Sequence, residues 1–200
     1  STFINRVKFS QLMLTQEFLI RRKKGFVDYG SFRTPEEVRT VINLASEYLM
    51  RRIDDSVSVH LLSSVDESTI DALVELSSVF PEEVRFSGDD LKEKFHTRED
   101  IVLLMAKVGE RNAGFSLSYY FSDHDPSMIY LTNLAVLPEF KGRSIGQSLL
   151  QINFVIAHNL RYNKLSLDCE IEKGLPQYYN GAGLHQISSD GEYARMCKPI

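Results

Sequence analysis

The sequence predicts a mixed α+β domain in which strands and helices alternate along the chain. Runs of apolar and β-branched residues, each long enough for one strand, recur from Val57 onward. Segments with apolar residues at helical spacing separate several of these runs, and two of the connections are short, polar and typical of hairpins. A chain of 200 residues with 43% hydrophobic content can bury a sizeable core in one domain, with or without an extension.

The predicted elements follow one another as strand, two helices, three strands, helix, strand, helix and two strands. Asp66 begins the first helix, Pro81 ends it, and Ser87 caps the second helix. Pro138 ends the fourth strand because proline has no N–H to give to a sheet ladder. The strands are predicted at residues 57–62, 101–108, 113–121, 129–137, 164–169, 184–187 and 192–197, and the helices at 66–79, 87–95, from a glycine-containing loop to about 160, and 174–180.

Residues 1–55 precede this pattern and are predicted to form a mainly helical extension that packs on the domain of residues 56–200 or contributes a partner or substrate contact. Thr34 is placed to cap a helix, with Pro35 at its first position and Glu36 in the first turn, where the helix dipole favours a carboxylate. The basic run at 21–24 is interpreted as a solvated turn, because no other basic or aromatic residues support a nucleic-acid surface.

Composition argues against several classes of function. The net charge of −4 gives no general affinity for nucleic acid or anionic membranes. Cys169 and Cys197 are too few for a disulfide framework, and the five histidines are scattered, so no metal site is expected. No apolar run approaches the roughly 20 residues that span a bilayer, and no signal peptide is visible. We therefore expect no membrane partner and a reducing, cytoplasmic location.

The stretch of residues 129–150 carries the clearest functional signal. A buried strand ends at Leu137, a loop of mostly small residues runs from Lys141 to Gly146, and apolar residues then recur at helical spacing. Such a loop exposes backbone N–H groups at a helix start, where the helix dipole also favours negative charge. The stretch therefore predicts an anion site suited to a phosphate or pyrophosphate.

Three known types of phosphate-binding loop can be compared with residues 141–146. The sequence contains no Walker loop, and Gly142 and Gly146 do not fit the dinucleotide fingerprint. Residues 135–138 (AVLP) followed by 141–146 (KGRSIG) instead resemble the V-x-P strand end and [QR]xxGx[GA] loop of the GNAT superfamily of acyl-CoA-dependent N-acyltransferases. Lys141 replaces Gln or Arg, and Ser144 replaces the first Gly, which adds a small side chain where the backbone approaches a pyrophosphate.

The resemblance implies a GNAT-like α+β fold over residues 57–200, with a central, mostly antiparallel twisted sheet of six to seven strands flanked by helices, and acetyl-CoA as co-substrate. Main-chain groups of β-strand residues would bind the pantetheine arm, and the amide of Val136 or Ala135 would polarise the thioester carbonyl. Loop amides would hold the pyrophosphate, with Lys141 and Arg143 as charge partners. The implied cofactor-binding residues are Leu134, Ala135, Val136, Leu137, Lys141, Gly142, Arg143, Ser144, Ile145, Gly146 and Gln147.

A second segment, residues 178–184 (YYNGAGL), resembles the Y-x-x-x-G-F sequence of GNAT enzymes, with Leu184 in place of Phe. The resemblance implies that Tyr179 is the general acid for the thiolate leaving group, a role that suits a phenol with a pKa near ~10. Tyr178 is the alternative acid, and a purely structural role for both rings stays open. Glu172 stands where many relatives carry an asparagine that contacts the pantetheine arm, and Pro176 intrudes in the helix.

The acceptor amine must lose a proton before it attacks, and a base within reach is the usual device. Glu170 and Glu172, just past the strand at 164–169, are the predicted candidates, ahead of Asp168 and Asn133.

We therefore expect an N-acyltransferase that moves an acetyl group from acetyl-CoA to a primary amine by direct attack in a ternary complex. The alternative is a non-catalytic CoA-binding sensor or scaffold with the same fold. A nucleotide-binding regulatory domain is not favoured, because its signatures are missing. The expected partners are an amine-bearing small molecule or peptide and, as a further option, a second copy of the chain in a homodimer.

Overall fold

The structure is a computed structural model that describes residues 56–62, 65–98, 100–119, 128–159 and 162–200. These residues form the mixed α+β arrangement that the sequence predicts. The strands are β1 (Val57–Leu61), β2 (Ile101–Val108), β3 (Arg111–Tyr119), β4 (Met128–Val136), β5 (Lys164–Glu170), β6 (His185–Ser189) and β7 (Tyr193–Pro199). The helices are α1 (Glu67–Leu76), α2 (Gly88–Thr97), α3 (Ile145–Asn159) and α4 (Leu175–Gly181).

The strands of the described residues form one seven-stranded sheet in the order β1-β2-β3-β4-β5-β7-β6. Neighbouring strands are antiparallel, except that β4 and β5 are parallel. A parallel pair needs a crossover connection, and α3 provides it between β4 and β5. The carboxyl ends of β4 and β5 therefore lie at the same edge of the sheet, where the chain enters α3 and α4.

Alternate residues of β3 point to two different helical layers. Phe115 packs against Phe80 and Phe86, which follow α1, with ring centroids 6.2 and 5.7 Å away. Ser116 and Ser118 point to the opposite face and bond to α3. The connections β4-α3-β5 and β5-α4-β6 both join parallel strands, and both move in the same direction across the sheet. Because such connections are right-handed, α3 and α4 lie on the same face of the sheet. We call the two sides the α1/α2 face and the α3/α4 face.

A buried polar trio fixes α3 on the sheet. Ser118 Oγ donates to Asn153 Oδ1 at 2.6 Å, and Asn153 Nδ2 donates to Ser116 Oγ at 3.0 Å and to Leu149 O at 2.8 Å. All three polar side chains are fully buried, and their mutual bonds avoid the cost of burying an unpaired amide or hydroxyl. Because these bonds are directional, they set the height and rotation of α3, and hence the position of its first turn.

Some boundaries differ from the predicted ones. β3 begins at Arg111 rather than residue 113, because Gly109 adopts a positive φ of 59° and completes the turn with Glu110 alone. The first helix is α-helical only to Leu76 and continues to Val79 as a 3-10 turn. Strand β6 is His185–Ser189, later than predicted at both ends. The predicted extension 1–55 and the polar turn 122–127 lie outside the described residues.

Candidate active site

A gap opens between β4 and β5 toward their carboxyl ends. The parallel pairing joins Met128–Tyr130 to Lys164–Ser166 and extends no further. Immediately afterwards β4 carries a bulge at Thr132, because Leu117 of β3 opposes Asn133 while the next residue of β3 opposes Leu131. A bulge bends its strand and increases the local twist, which explains why β4 leaves β5 at this point. In open sheets with parallel strands, ligands bind outside such carboxyl ends.

The β3–β4 ladder decides which backbone groups of β4 face this gap. Leu137 N donates to Ala113 O at 2.9 Å. Hydrogen-bonded pairs alternate along an antiparallel ladder, so Ala135 also directs its backbone groups at β3. Leu134 and Val136 direct theirs toward β5, with which they are not paired. Of the β4 residues predicted to bind the acyl donor, Leu134 and Val136 thus have backbone groups open to a ligand, and Val136 is the better placed of the two predicted oxyanion donors.

The loop that follows β4 is built to expose backbone amides. Gly142 and Ser144 both have positive φ, 81° and 59°, and the loop residues Lys141 to Ser144 are exposed. Ser144 is the N-cap of α3, since its carbonyl accepts from Ser148 N at 2.9 Å and from Ser148 Oγ at 2.6 Å. Its left-handed conformation differs from the extended one of a usual N-cap, whose side chain bonds back to the first turn.

The first turn of α3 therefore differs from those of α1 and α2. Asp66 caps α1 by accepting from Thr69 N at 2.8 Å, and Ser87 caps α2 by accepting from Asp90 N at 3.1 Å, as the sequence predicts. The amides of Ile145–Gln147 have no acceptor among the described residues. Unsatisfied amides and the positive end of a 15-residue helix together favour an anion. This turn is the predicted pyrophosphate site, with the exposed Lys141 and Arg143 beside it.

We expect Ser144→Gly to change the stability only slightly. Glycine removes the steric cost of a left-handed L-residue, about 1–2 kcal/mol, but adds unfolded-state entropy worth about 0.4–1 kcal/mol. The branched side chain of valine suits the left-handed conformation least, so Ser144→Val should be clearly less stable than the wild type and the glycine variant. Thermal unfolding of the three proteins checks the order. A large loss of stability in the glycine variant would contradict the expectation, and would mean that the hydroxyl holds the loop together.

Tyr179 lies on α4 and is only 8% exposed. Its ring packs edge-on against that of Tyr178, with centroids 5.1 Å apart, and it interacts with Cys169 of β5, which points to the α3/α4 face. Burial, reinforced by Tyr178 and Cys169, raises the pKa of Tyr179 well above its ordinary value. The hydroxyl has no hydrogen-bond partner among the described residues. A buried hydroxyl without a partner is unusual, and a group on a ligand would satisfy it.

Tyr178 takes a different direction from its neighbour. It is 40% exposed, and its hydroxyl lies 3.3 Å from the position that a Cβ would occupy on Gly146, in the first turn of α3. Val136 Cγ2 lies 3.6 Å from the same position. The side chain thus crosses from α4 to the place where β4 ends and α3 begins. Burial raises the pKa of Tyr178 above its ordinary value.

The two predicted bases occupy different positions. Glu170 ends β5 on the α1/α2 face, the side opposite Cys169, and Glu170 Oε2 pairs with Lys173 Nζ at 2.7 Å. Glu172 lies in the exposed turn after β5. Asp168 is engaged elsewhere, because it accepts from Tyr130 and from both Nε and Nη2 of Arg195 at 2.7–2.8 Å. Those bonds, led by that from Arg195, hold the pKa of Asp168 below its ordinary value. Of these carboxylates, Glu170 is the one that ends β5, at the edge of the sheet where the gap opens.

Two kinds of feature are absent from the described residues. Among them, no group of three or more His, Cys, Asp or Glu side chains is arranged to hold a metal ion. None of their helices combines the length and the apolar character that crossing a bilayer requires.

Comparison with known proteins identifies relatives of this arrangement. The profile of the Acetyltransferase (GNAT) family matches residues 70–176, which is more than half of the chain. Solved structures with the same fold include the ribosomal-protein-S18-alanine N-acetyltransferase from Escherichia coli (TM-score 0.59, 15% identity, 72% of this chain and 94% of that one). No curated protein is similar enough in sequence to count as a match.

Two other similar structures were solved with coenzyme A or acetyl-CoA bound. The PaiA N-acetyltransferase from Thermoplasma acidophilum, in complex with coenzyme A, has a TM-score of 0.59 and 18% identity over 72% of this chain and 99% of that one. A GNAT family acetyltransferase from Elizabethkingia anophelis, with acetyl-CoA bound, has a TM-score of 0.54 and 18% identity over 74% of this chain and 100% of that one. At these identities the similarity establishes the fold.

Proposed function

Because the chain belongs to the GNAT family of acetyltransferases, we propose that it transfers an acetyl group from acetyl-CoA to a primary amine by direct attack in a ternary complex. The observation that carries this proposal is the first turn of α3, which lies at the mouth of the gap between β4 and β5 and whose amides have no acceptor among the described residues. Residues 56–200 form the proposed catalytic domain. The proposed acceptor is a small molecule or a peptide that bears an amine.

Each part of the proposed site has a distinct task. The amides of Ile145–Gln147 hold the pyrophosphate, and Leu134 and Val136 offer backbone groups to the pantetheine arm. The N–H of Val136 faces the gap and stabilises the charge that develops on the thioester oxygen.

The proposed reaction places acid and base on opposite faces of the sheet. The amine nitrogen attacks the thioester carbon, so that a C–N bond forms and the C–S bond breaks. Tyr179, on the α3/α4 face, donates its proton to the departing thiolate. Glu170, on the α1/α2 face, accepts the proton of the amine directly or through a water molecule. Lys173 Nζ lies 2.7 Å from Glu170 Oε2 and holds the carboxylate in place at the end of β5. After product release, Glu170 loses its proton to solvent and Tyr179 regains one.

Calorimetry with acetyl-CoA, CoA, ATP and NAD tests the donor class first. We expect binding of the two CoA species and none of NAD, because the 141–146 loop lacks the dinucleotide fingerprint. Thiol release from acetyl-CoA is then measured with a panel of amines and amino-terminal peptides. If neither CoA species binds, the proposal is wrong. If acetyl-CoA binds but no acceptor raises thiol release above background, the chain is a CoA-binding sensor or scaffold instead of an enzyme.

A further inference from the structure

The hydroxyl of Tyr178 lies close to the amides that are proposed to hold the pyrophosphate. Its 3.3 Å approach to the Cβ position of Gly146 puts it at the middle one of the three unpaired residues, Ile145 to Gln147. Like those amides, the hydroxyl has no hydrogen-bond partner among the described residues. Donor groups from two separate elements, α3 and α4, therefore meet at one point on the edge of the gap.

This position argues against Tyr178 as the general acid. The pyrophosphate and the thioester of acetyl-CoA are separated by the whole pantetheine arm. The hydroxyl of Tyr178 lies at the first turn of α3, beside the amides that are proposed to hold the first of these groups. Tyr179 is buried on the helix that packs against β5, and Cys169 of that strand contributes to the raised pKa of its phenol. Two adjacent tyrosines on a helix point about 100° apart, so they can serve different parts of one ligand.

We propose that Tyr178 is a positioning residue whose phenol O–H donates to the pyrophosphate of acyl-CoA and closes the α4 side of the site. This inference rests on the proposed function and adds a specific contact to it. A hydrogen bond from a hydroxyl to a charged phosphate is among the stronger kinds. Gly146 is part of the same arrangement, because a Cβ at that position would lie 3.3 Å from the hydroxyl, which would have to shift by a few tenths of an ångström.

Tyr178→Phe removes the donor while keeping the ring, and calorimetry measures its effect without an identified acceptor. We expect the Kd for acetyl-CoA to rise on the order of tenfold, the loss of one bond to a charged group. Dephospho-CoA keeps the pyrophosphate and lacks the 3′-phosphate, so its affinity should fall by the same factor. Pantetheine has no phosphate, and its weak binding, measured by competition, should not change. In steady-state kinetics the loss should appear in the KM for acetyl-CoA, as expected for a contact made equally in the ground state and the transition state.

The control is Tyr119→Phe, at a tyrosine on the α1/α2 face beneath the Arg98 guanidinium, which should leave every Kd unchanged. An unchanged Kd for acetyl-CoA in Tyr178→Phe would overturn the inference and leave the proposed function standing. Two other binding results would have the same consequence: a loss of affinity confined to ligands with the 3′-phosphate, or an equal loss of affinity for pantetheine. A fall in turnover with the Kd kept would also overturn the inference, because it would make Tyr178 the acid. Failure of the wild-type protein to bind either CoA species would overturn both proposals.

Discussion

Replacement of Gly114 by alanine should lower the free energy of unfolding by about 3 kcal/mol, at the upper end of the range for an overpacked core. A Cβ at this position would lie 2.5 Å from Ala135 O and 3.3 Å from Val136 Cα. Both are backbone atoms of β4, which cannot turn away as the end of a flexible side chain can. Since β3 is fully buried here, the two strands must separate, and the ladder that orients Val136 is disturbed.

Gly181→Ala is the matched control, because a Cβ there meets nothing within 4 Å. Gly181 ends α4, where alanine is a better helix former, so the change should be neutral or slightly stabilising. Thermal and urea unfolding of the two variants measure the effect of the same substitution where a Cβ meets backbone atoms and where it meets nothing. If the free energy of unfolding of Gly114→Ala lies within about 1 kcal/mol of the wild-type value, β3 and β4 do not approach each other as closely at Gly114 as the structure shows.

Local signals in the sequence predicted most of the elements. Helix caps and strand-ending prolines influence only the few residues next to them in the sequence. The examples here lie at or next to the boundaries expected of them: Asp66, Ser87 and Pro138. The resemblance drawn from residues 135–146 is confirmed as membership of the GNAT family. That inference was possible because a strand end, a loop and a helix start lie together in the sequence and need no long-range contact.

The geometry of the gap could not be predicted in the same way. Its opening depends on the bulge at Thr132 and on the short pairing of β4 with β5, which are properties of partner strands and not of one segment. The different directions of Tyr178 and Tyr179 depend on how α4 packs against β5 and approaches α3. The left-handed φ of Ser144 is a further example, because a serine gives no sign of that conformation. The catalytic assignments of Tyr179, Glu170 and Glu172 stay predictions.

Tyr179→Phe is expected to separate catalysis from folding more cleanly than any other single change. As general acid, the hydroxyl should contribute on the order of 10²-fold or more to turnover, since proton transfer by a positioned side chain typically contributes 10²–10⁴-fold. The affinity for acetyl-CoA should remain within about twofold, because the ring that lines the site is retained. Steady-state kinetics with any active acceptor, and calorimetry of acetyl-CoA, measure the two quantities.

The same substitution should not destabilise the fold. The hydroxyl of Tyr179 is buried and has no partner among the described residues, so its removal eliminates an unsatisfied polar group, a cost of about 1–3 kcal/mol in the ligand-free protein. We expect the melting temperature to stay the same or rise. Lower turnover together with equal or greater stability is typical of a residue kept for activity at the expense of packing. A fall in both would indicate that the hydroxyl has a structural partner and is not the acid.

The pH dependence provides a separate check on Tyr179. The acid must carry its proton, and burial raises its pKa above the ordinary value near 10. The acid form is therefore fully populated between about pH 8 and 10, and turnover at saturating acetyl-CoA should not fall in that range through loss of this proton. A basic limb near pH 9 that disappears in Tyr179→Phe would show that the phenol ionises there, and the assignment of a strongly buried acid would be wrong.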